Sequence, residues 1–572
     1  MARQCPSDTL IWSIGESESD ALTARRRLQT SHSGEAKSME RNAASADVVV
    51  IGSGAGGGVI AKELGESGLS VVVLEAGRRF DPPKDYPTDA QDFETTSPSV
   101  FDAPNPLRDR FTSTNPSFSI HRVKGVGGST LHYVAISPRL HESDFEVRSR
   151  DGLADDWPIR YDDLEPYYAR VEYELGISGP DGPEANPFDS RRSRRFPTPP
   201  HPFNLASRAI KRGADKLGLH FFREPLAIPT LDWGGRPACI GAGTCALGCR
   251  IRAKSSIDVT YVPKAEATGR VEIRPECMAR EITITPEGKA RGVVYIDSQG
   301  RDHEIKARAV VVAGNAIETP RLLLLSRSRL YPNGLANSSG LVGKYFSEHL
   351  AIFAGGLFAE RVDPWRGVPS GGMMQDFYET NPRNDFARGW SIVVNLDGYQ
   401  WPLSVARRVK GWGSEHKRRT REMFGHVVGL ASIGEQLPDV RNEISLDPLV
   451  TDSYGLPVPR VVIAPGGNDL AMAKRISESL RDVLNAAGAR EVWVGTLGAG
   501  ASSHYVGTCR MGTDPGTSVV DSWCRTHDVP NLFVGDGSVF VTGGAVNPAL
   551  TISALATRTA EGILGAFERG EL

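Results

Sequence analysis

The residues that point to chemistry fall into three groups. The first is Gly52–Ser53–Gly54–Ala55–Gly56–Gly57–Gly58, set between the apolar run Asp47–Val48–Val49–Val50–Ile51 and the helix-like stretch Val59–Glu66. Glycines at such a junction let backbone approach a pyrophosphate, and the N–H groups of a helix N-terminus attract the anion. Here Gly52 makes the tight turn, Gly54 admits the pyrophosphate, and Gly57 lets helix pack on strand. Glu75 closes a second apolar run, Ser70–Val71–Val72–Val73–Leu74, and is placed to accept hydrogen bonds from a ribose diol. This combination predicts a bound dinucleotide, and the pattern by itself does not separate FAD from NAD.

The second group is Lys124–Gly125–Val126–Gly127–Gly128–Ser129–Thr130–Leu131–His132–Tyr133, with three glycines and two hydroxyls beside an imidazole. Glycines there allow backbone to lie against a flat ring or a phosphate, which side chains would obstruct. The bland reading is a plain turn. The third group is Cys239, Cys245 and Cys249, in a stretch where glycines permit the loop to fold about a centre. Three thiolates suit a three-iron cluster better than a four-ligand cube, whereas structural zinc wants four ligands and no fourth is nearby. The equal alternative is three reduced thiols in a loop covering a cofactor.

The elements that must hold these groups begin with strand, turn, helix and strand over residues 47–75. Phe80–Asn115 reads as loop, residues 156–178 and Leu205–Leu217 as helices, and 177–203 as a surface connection or lid. Strand-like runs at Val271–Arg274, Glu281–Thr285 and Gly292–Ile296 lead to Ala307–Val312, a returning strand of the dinucleotide sheet. A helix is predicted to start near Thr319–Pro320. Ala351–Phe358, Ser391–Leu396, His426–Ile433 and Val461–Ala464 suit a mostly antiparallel sheet carrying the helix Leu470–Ala487. That sheet would floor a substrate pocket. Tyr399 and Trp401 are candidates to face a ligand, although most aromatic side chains of such a sheet are core.

A chain of 572 residues, 40% hydrophobic and 24% charged, predicts a soluble protein with two domains or one interrupted by an insertion. A formal net charge of −3 without a basic tract gives no reason to expect nucleic acid, and no apolar run is long enough for a transmembrane segment. Residues 1–44 are polar and aperiodic, and Arg25–Arg26–Arg27 lacks a following apolar segment. We therefore expect a disordered extension, no secretory signal and a cytoplasmic location. Met39 is a possible alternative start. Seven cysteines without an export signal point to reduced thiols or metal ligation rather than disulfides.

Near the C-terminus stand His504–Tyr505–Val506–Gly507–Thr508–Cys509–Arg510–Met511–Gly512, Asn531–Leu532–Phe533–Val534–Gly535–Asp536–Gly537–Ser538 and Gly543–Gly544–Ala545–Val546–Asn547–Pro548. Together with the N-terminal glycines, their order over about residues 46–565 resembles the glucose-methanol-choline (GMC) family of FAD-dependent oxidoreductases. The resemblance implies an α/β fold: a Rossmann-like FAD-binding domain (45–150, 235–350 and 500–572) interleaved with a substrate domain (151–234 and 351–499) on a mostly antiparallel sheet.

It further implies oxidation of an alcohol or sugar hydroxyl, with His504 as catalytic base and Asn547 as the second catalytic residue. Glu75 falls at the adenosine ribose, Asp536 near the ribityl and pyrophosphate portion, and Gly127, Gly128 and Ser129 against the isoalloxazine. Pro548, beside Asn547, counts with the cofactor-binding residues. The spacing of His132 is similar to that of the histidine joined covalently to flavin in pyranose oxidases, while other relatives with a similar loop hold FAD without that bond. The spacing of Cys239, Cys245 and Cys249 resembles the ligands of a [3Fe-4S] cluster in bacterial FAD-dependent sugar dehydrogenases. With a cluster, electrons would leave singly to an acceptor protein, a cytochrome, or to a quinone; without one, an oxidase that reduces dioxygen to hydrogen peroxide is the alternative.

Overall fold

The structure is a computed structural model that describes residues 44–86, 110–395, 399, 401–498 and 502–572. The expectation for residues 1–43 lies outside these residues, as does most of the Phe80–Asn115 stretch. Two described pieces of that stretch are regular: a short helix, Pro82–Asp85, and a two-residue strand, Thr112–Ser113.

The predicted opening strand is Ser45–Ile51, and it is central in a seven-stranded sheet. It lies parallel to Val71–Leu74 on one side and to Asp302–Val312 on the other. Val271–Arg274 adds beyond Val71–Leu74, and Leu532–Val534 pairs with the end of Asp302–Val312, both parallel. Met278–Ile284 and Ala290–Ile296 continue antiparallel from the long arm of Asp302–Val312. Runs such as Val48–Val50, Val71–Val73 and Val310–Val312 are wholly buried, as parallel strands covered on both faces require. The helices Gly57–Glu66 and Ala549–Glu568 supply part of that cover.

Four parallel strands end side by side, and each runs directly into a residue of interest. Ile51 leads to Gly52, Leu74 to Glu75, Val312 to Gly314–Asn315, and Val534 to Asp536. The carboxyl ends of such strands are where open α/β sheets bind ligands.

A second sheet, antiparallel and five-stranded, runs in the order Glu491–Val494, Phe353–Leu357, Val427–Gly434, Trp390–Val394, Met373–Met374. Gly467–Ala487 packs on it through Met472, Ile476, Leu480, Val483 and Leu484, together with Leu205–Leu217. The predicted run around Val461 belongs elsewhere: Pro457–Val462 pairs with Glu443–Thr451 and Thr112–Ser113 in a separate three-stranded sheet. Alternation alone cannot assign a strand to one of two sheets.

The first long helix lies at Tyr161–Leu175, inside the predicted span. The helix expected from Thr319–Pro320 instead spans Asn315–Leu325 and contains Pro320. Proline cannot donate to the carbonyl of Ala316. The Thr508 hydroxyl donates there instead, at 2.8 Å, while Asn315 Oδ1 accepts from the N–H groups of Ile317 and Glu318. A tertiary contact thus removes the penalty on which the sequence reading relied. Among the described residues no helix is long and apolar enough to cross a membrane.

Candidate active site

The strand ends open into a cavity of about 530 Å³. Its lining includes Leu322, Leu325 and Ala279, Glu75 and the glycines of the first turn, and His132, His504 and Asn547. Helix Gly57–Glu66 begins with no side-chain cap and no acid in its first turn, leaving its positive end for an anion. Gly57 is obligatory, because a Cβ there would sit 2.0 Å from Gly52 O.

Ser53, which the sequence reading passed over, ties three predicted parts together. Its N–H and Oγ donate to Glu75 Oε2 at 3.1 and 2.7 Å, and its Oγ accepts from Gly127 N–H at 3.1 Å. Glu75 Oε1 accepts from Gly77 N–H at 3.0 Å, and burial pushes the carboxyl upward against these donors. Gly128 adopts φ +57°, and a Cβ there would stand 2.8 Å from Gly54 Cα, so the two glycine turns meet backbone to backbone. The Ser129 hydroxyl accepts from Val123 N–H at 3.3 Å.

Asp536 joins the ends of two strands. It accepts from Asn315 N–H and Ser538 N–H, both at 2.8 Å, and from the Thr319 hydroxyl at 2.5 Å. His132 borders the cavity, its pKa lowered to about 4 by burial and then by Lys254, so its ring is neutral.

His504 and Asn547, 43 residues apart in sequence, meet on the cavity lining. Asn547 Nδ2 lies 3.2 Å from His504 Nε2. The segment Val506–Met511 runs alongside Gly537–Val539, with N–H donations from Gly507 to Gly537 O and from Cys509 to Ser538 O at 3.1 and 2.7 Å. That pairing sets His504 over the cavity. Burial, and then the neighbouring ring of His349, hold His504 well below the ordinary histidine value. Asn547 Oδ1 is buried without a hydrogen-bond partner, as expected of a polar atom awaiting a ligand.

The loop leading to Asn547 rests on a buried charged network that carried no sequence signal. Arg388 Nε donates to Glu435 Oε2 at 2.6 Å, and Arg388 also pairs with Asp144. Tyr378 Oη donates to Asp144 Oδ2 at 2.6 Å and accepts from Ala545 N–H at 3.1 Å. Thr542 Oγ1 donates to Asp144 O, and Ser391 Oγ to Ala545 O. Residues so far apart in sequence give no local period, so only the fold identifies them.

The three cysteines are placed differently. Cys239 Sγ accepts from Gly241 N–H and Cys249 Sγ from Lys254 N–H, both at 3.3 Å, while Cys245 is buried in a short turn. Among the described residues no set of three His, Cys, Asp or Glu side chains is placed to hold a metal ion. The loop borders the cavity through Ala246, and buried Lys254 donates to Leu131 O, Tyr133 O and Cys245 O. Tyr399 and Trp401 lie outside this cavity, and the Tyr399 hydroxyl accepts from Trp493 Nε1 at 3.1 Å.

Comparison with known proteins shows the family. The N- and C-terminal family models of the GMC oxidoreductases match residues 46–351 and 438–556. The chain is 36% identical to 2-methyl-1,2-propanediol dehydrogenase of Mycolicibacterium austroafricanum, over 92% of this chain and 97% of that protein. It is 33% identical to the fructose dehydrogenase large subunit of Gluconobacter japonicus, over 93% and 100%. The fold is similar to that of pyridoxine 4-oxidase from Mesorbium loti, with a TM-score of 0.64 at 19% identity, covering 91% of this chain and 99% of that one. The cavity at the strand ends, its glycine cradle and its His–Asn pair sit in a chain that belongs to the GMC oxidoreductase family of FAD-binding enzymes.

Proposed function

We propose that the protein oxidises an alcohol or sugar hydroxyl to a carbonyl and passes the electrons to an external acceptor, a cytochrome or a quinone. The observation that carries the reading is the placement of His504 Nε2 and Asn547 Nδ2 together, 3.2 Å apart, on the lining of a cavity whose other residues suit a dinucleotide. FAD, when bound, supplies the hydride acceptor, chemistry that no side chain provides. Gly52, Gly54 and Gly57 would hold its pyrophosphate at the helix N-terminus, with Glu75 toward the ribose and Gly127–Ser129 toward the ring.

Alcohol oxidation needs the hydroxyl proton removed as hydride leaves carbon. His504 is neutral because burial disfavours its charged form, so it can take that proton. The Asn547 amide cannot titrate; it donates to His504 or to the alkoxide-like oxygen and so orients the substrate. Its unpartnered Oδ1 is left to accept from a second hydroxyl. A diol or sugar offers one, which favours polyhydroxylated substrates over simple alcohols. The names of the relatives, a propanediol dehydrogenase and a fructose dehydrogenase, support that choice.

The test is anaerobic bleaching of the flavin band with 2-methyl-1,2-propanediol, fructose and gluconate as probes, in wild type and His504→Ala. Reduction in wild type and a loss of roughly 100-fold or more in the variant is expected for a general base. Near-normal reduction in the variant would remove His504 from that role. Turnover in air with stoichiometric hydrogen peroxide would assign an oxidase instead, as in the 32% identical 6'''-hydroxyparomomycin C oxidase of Streptomyces lividus.

A further inference from the structure

A third ring meets the His–Asn pair. His349 Nδ1 lies 2.9 Å from His504 Nδ1, with the two rings edge to face at 81°. On its other side His349 Nε2 lies 2.9 Å from Gly544 O and 3.4 Å from Gly543 O. We propose that His349 is a positioning residue that fixes the tautomer of His504, reading it from two backbone carbonyls. The proposal rests on the assignment of His504 as the base.

A carbonyl only accepts, so His349 Nε2 carries a hydrogen. His349 is wholly buried and its pKa is lowered to about 4, so at neutral pH that is its single ring hydrogen. His349 Nδ1 is then a bare lone pair. Two bare lone pairs 2.9 Å apart repel, so the shared hydrogen must sit on His504 Nδ1, which donates to His349. His504 consequently presents an unprotonated Nε2 toward Asn547 Nδ2 and the cavity. A base needs that form. The opposite tautomer would point an N–H at the substrate and have no lone pair for its proton.

The carbonyls that start this sequence are themselves held. Gly544 adopts φ +61°, and a Cβ there would meet Leu140 Cδ2 at 2.5 Å, so the turn depends on glycine. The next residue is clamped on both sides, with Ala545 N–H on Tyr378 Oη at 3.1 Å and Ala545 O accepting from Ser391 Oγ at 2.7 Å. Backbone direction in the Gly543–Asn547 loop therefore determines both the place of the Asn547 amide and, through His349, the nitrogen on which His504 is basic. The buried network of Arg388, Asp144 and Glu435 that supports this loop acts on proton transfer only through that geometry.

The experiment uses FAD-loaded wild type, His349→Ala and His349→Gln, with fructose or 2-methyl-1,2-propanediol as reductant, whichever bleaches the wild-type flavin. His349→Ala should lower anaerobic flavin reduction roughly 10- to 100-fold at unchanged flavin content, since His504 then divides between two tautomers and loses its orientation. His349→Gln should recover most of that loss, because a carboxamide oxygen accepts from His504 Nδ1–H while its N–H reaches Gly544 O.

Nitrogen-15 NMR of histidine-labelled wild type, with the His504 signals identified by their loss in His504→Ala, should show Nε2 as the bare nitrogen. A bare Nδ1 on His504 in wild type would overturn the proposal. So would wild-type flavin reduction in His349→Ala while His504→Ala is strongly impaired, an outcome that leaves the base assignment standing. If His504→Ala is itself unimpaired, the base assignment falls first and this inference falls with it. Should His349→Ala lose its flavin, the wild-type NMR result decides.

Discussion

Glu224 offers a quantitative test of how this interior treats charge. Its side chain is buried at the junction where Phe222 pairs with Met373 and Leu226 with Ser178, and both carboxyl oxygens lack a hydrogen-bond partner. Burial raises its pKa from 4.5 to about 8, outweighing the Ser370 hydroxyl, which itself donates to Val394 O. The folded state thus holds a proton that the unfolded chain releases, so stability is complete below pH 4.5 and falls as pH rises toward 8. At about 1.4 kcal/mol per pH unit, the folded state loses about 5 kcal/mol once the carboxyl ionises. An unfolding entropy near 2.1 cal/mol/K per residue gives about 1.2 kcal/mol/K for this chain, so the loss corresponds to about 4 °C in Tm. Glu224→Gln keeps the shape and removes the ionisation. Thermal unfolding of the holoprotein should show wild type falling about 3–4 °C relative to the variant between pH 5 and pH 9. Parallel curves over that range would refute the reasoning, because they would mean that the carboxyl is ionised, and hence solvated or paired, in the folded state.

Flavin reduction should be flat from neutral pH down to about 6.5 and fall only below it, since the base is lost as pH drops through the depressed pKa of His504; stopped-flow rates against pH measure this. Asn547→Ala should slow reduction roughly 100- to 1000-fold with FAD retained, in the range found for loss of one donor to a developing oxyanion. Gly128→Ala should bind FAD poorly or not at all, because its Cβ would lie 2.8 Å from Gly54 Cα in a left-handed conformation; the flavin content of the purified protein is the readout. Arg388→Met should destabilise the fold by roughly 3–5 kcal/mol by leaving Asp144 and Glu435 buried without their cation, measurable by denaturant unfolding.

Much of the cofactor half was legible in the residues alone, because its signals are local. An apolar run, glycines, a helix and a second run ending in Glu75 form a contiguous unit, and local chain chemistry decides such a turn. The helix Leu205–Leu217 and the antiparallel strands were also readable, since a face buried at a fixed period leaves its mark on composition. His504 and Asn547 were singled out through the order of motifs rather than through any property of one histidine or one asparagine.

Other features were decided only in three dimensions. The start of helix Asn315–Leu325 depends on a hydroxyl from Thr508, and the sheet that takes Pro457–Val462 depends on which edge was free. His349 and the Arg388 network touch the site from far along the chain, and one buried histidine or arginine leaves no periodic trace. Local sequence thus determined where the chain turns, begins a helix without a side-chain cap and buries apolar surface, since those choices involve neighbours along the backbone. Which nitrogen faces the cavity was settled by folding, because a tautomer answers to the hydrogen-bond partners around it, and these come together only when distant loops are packed.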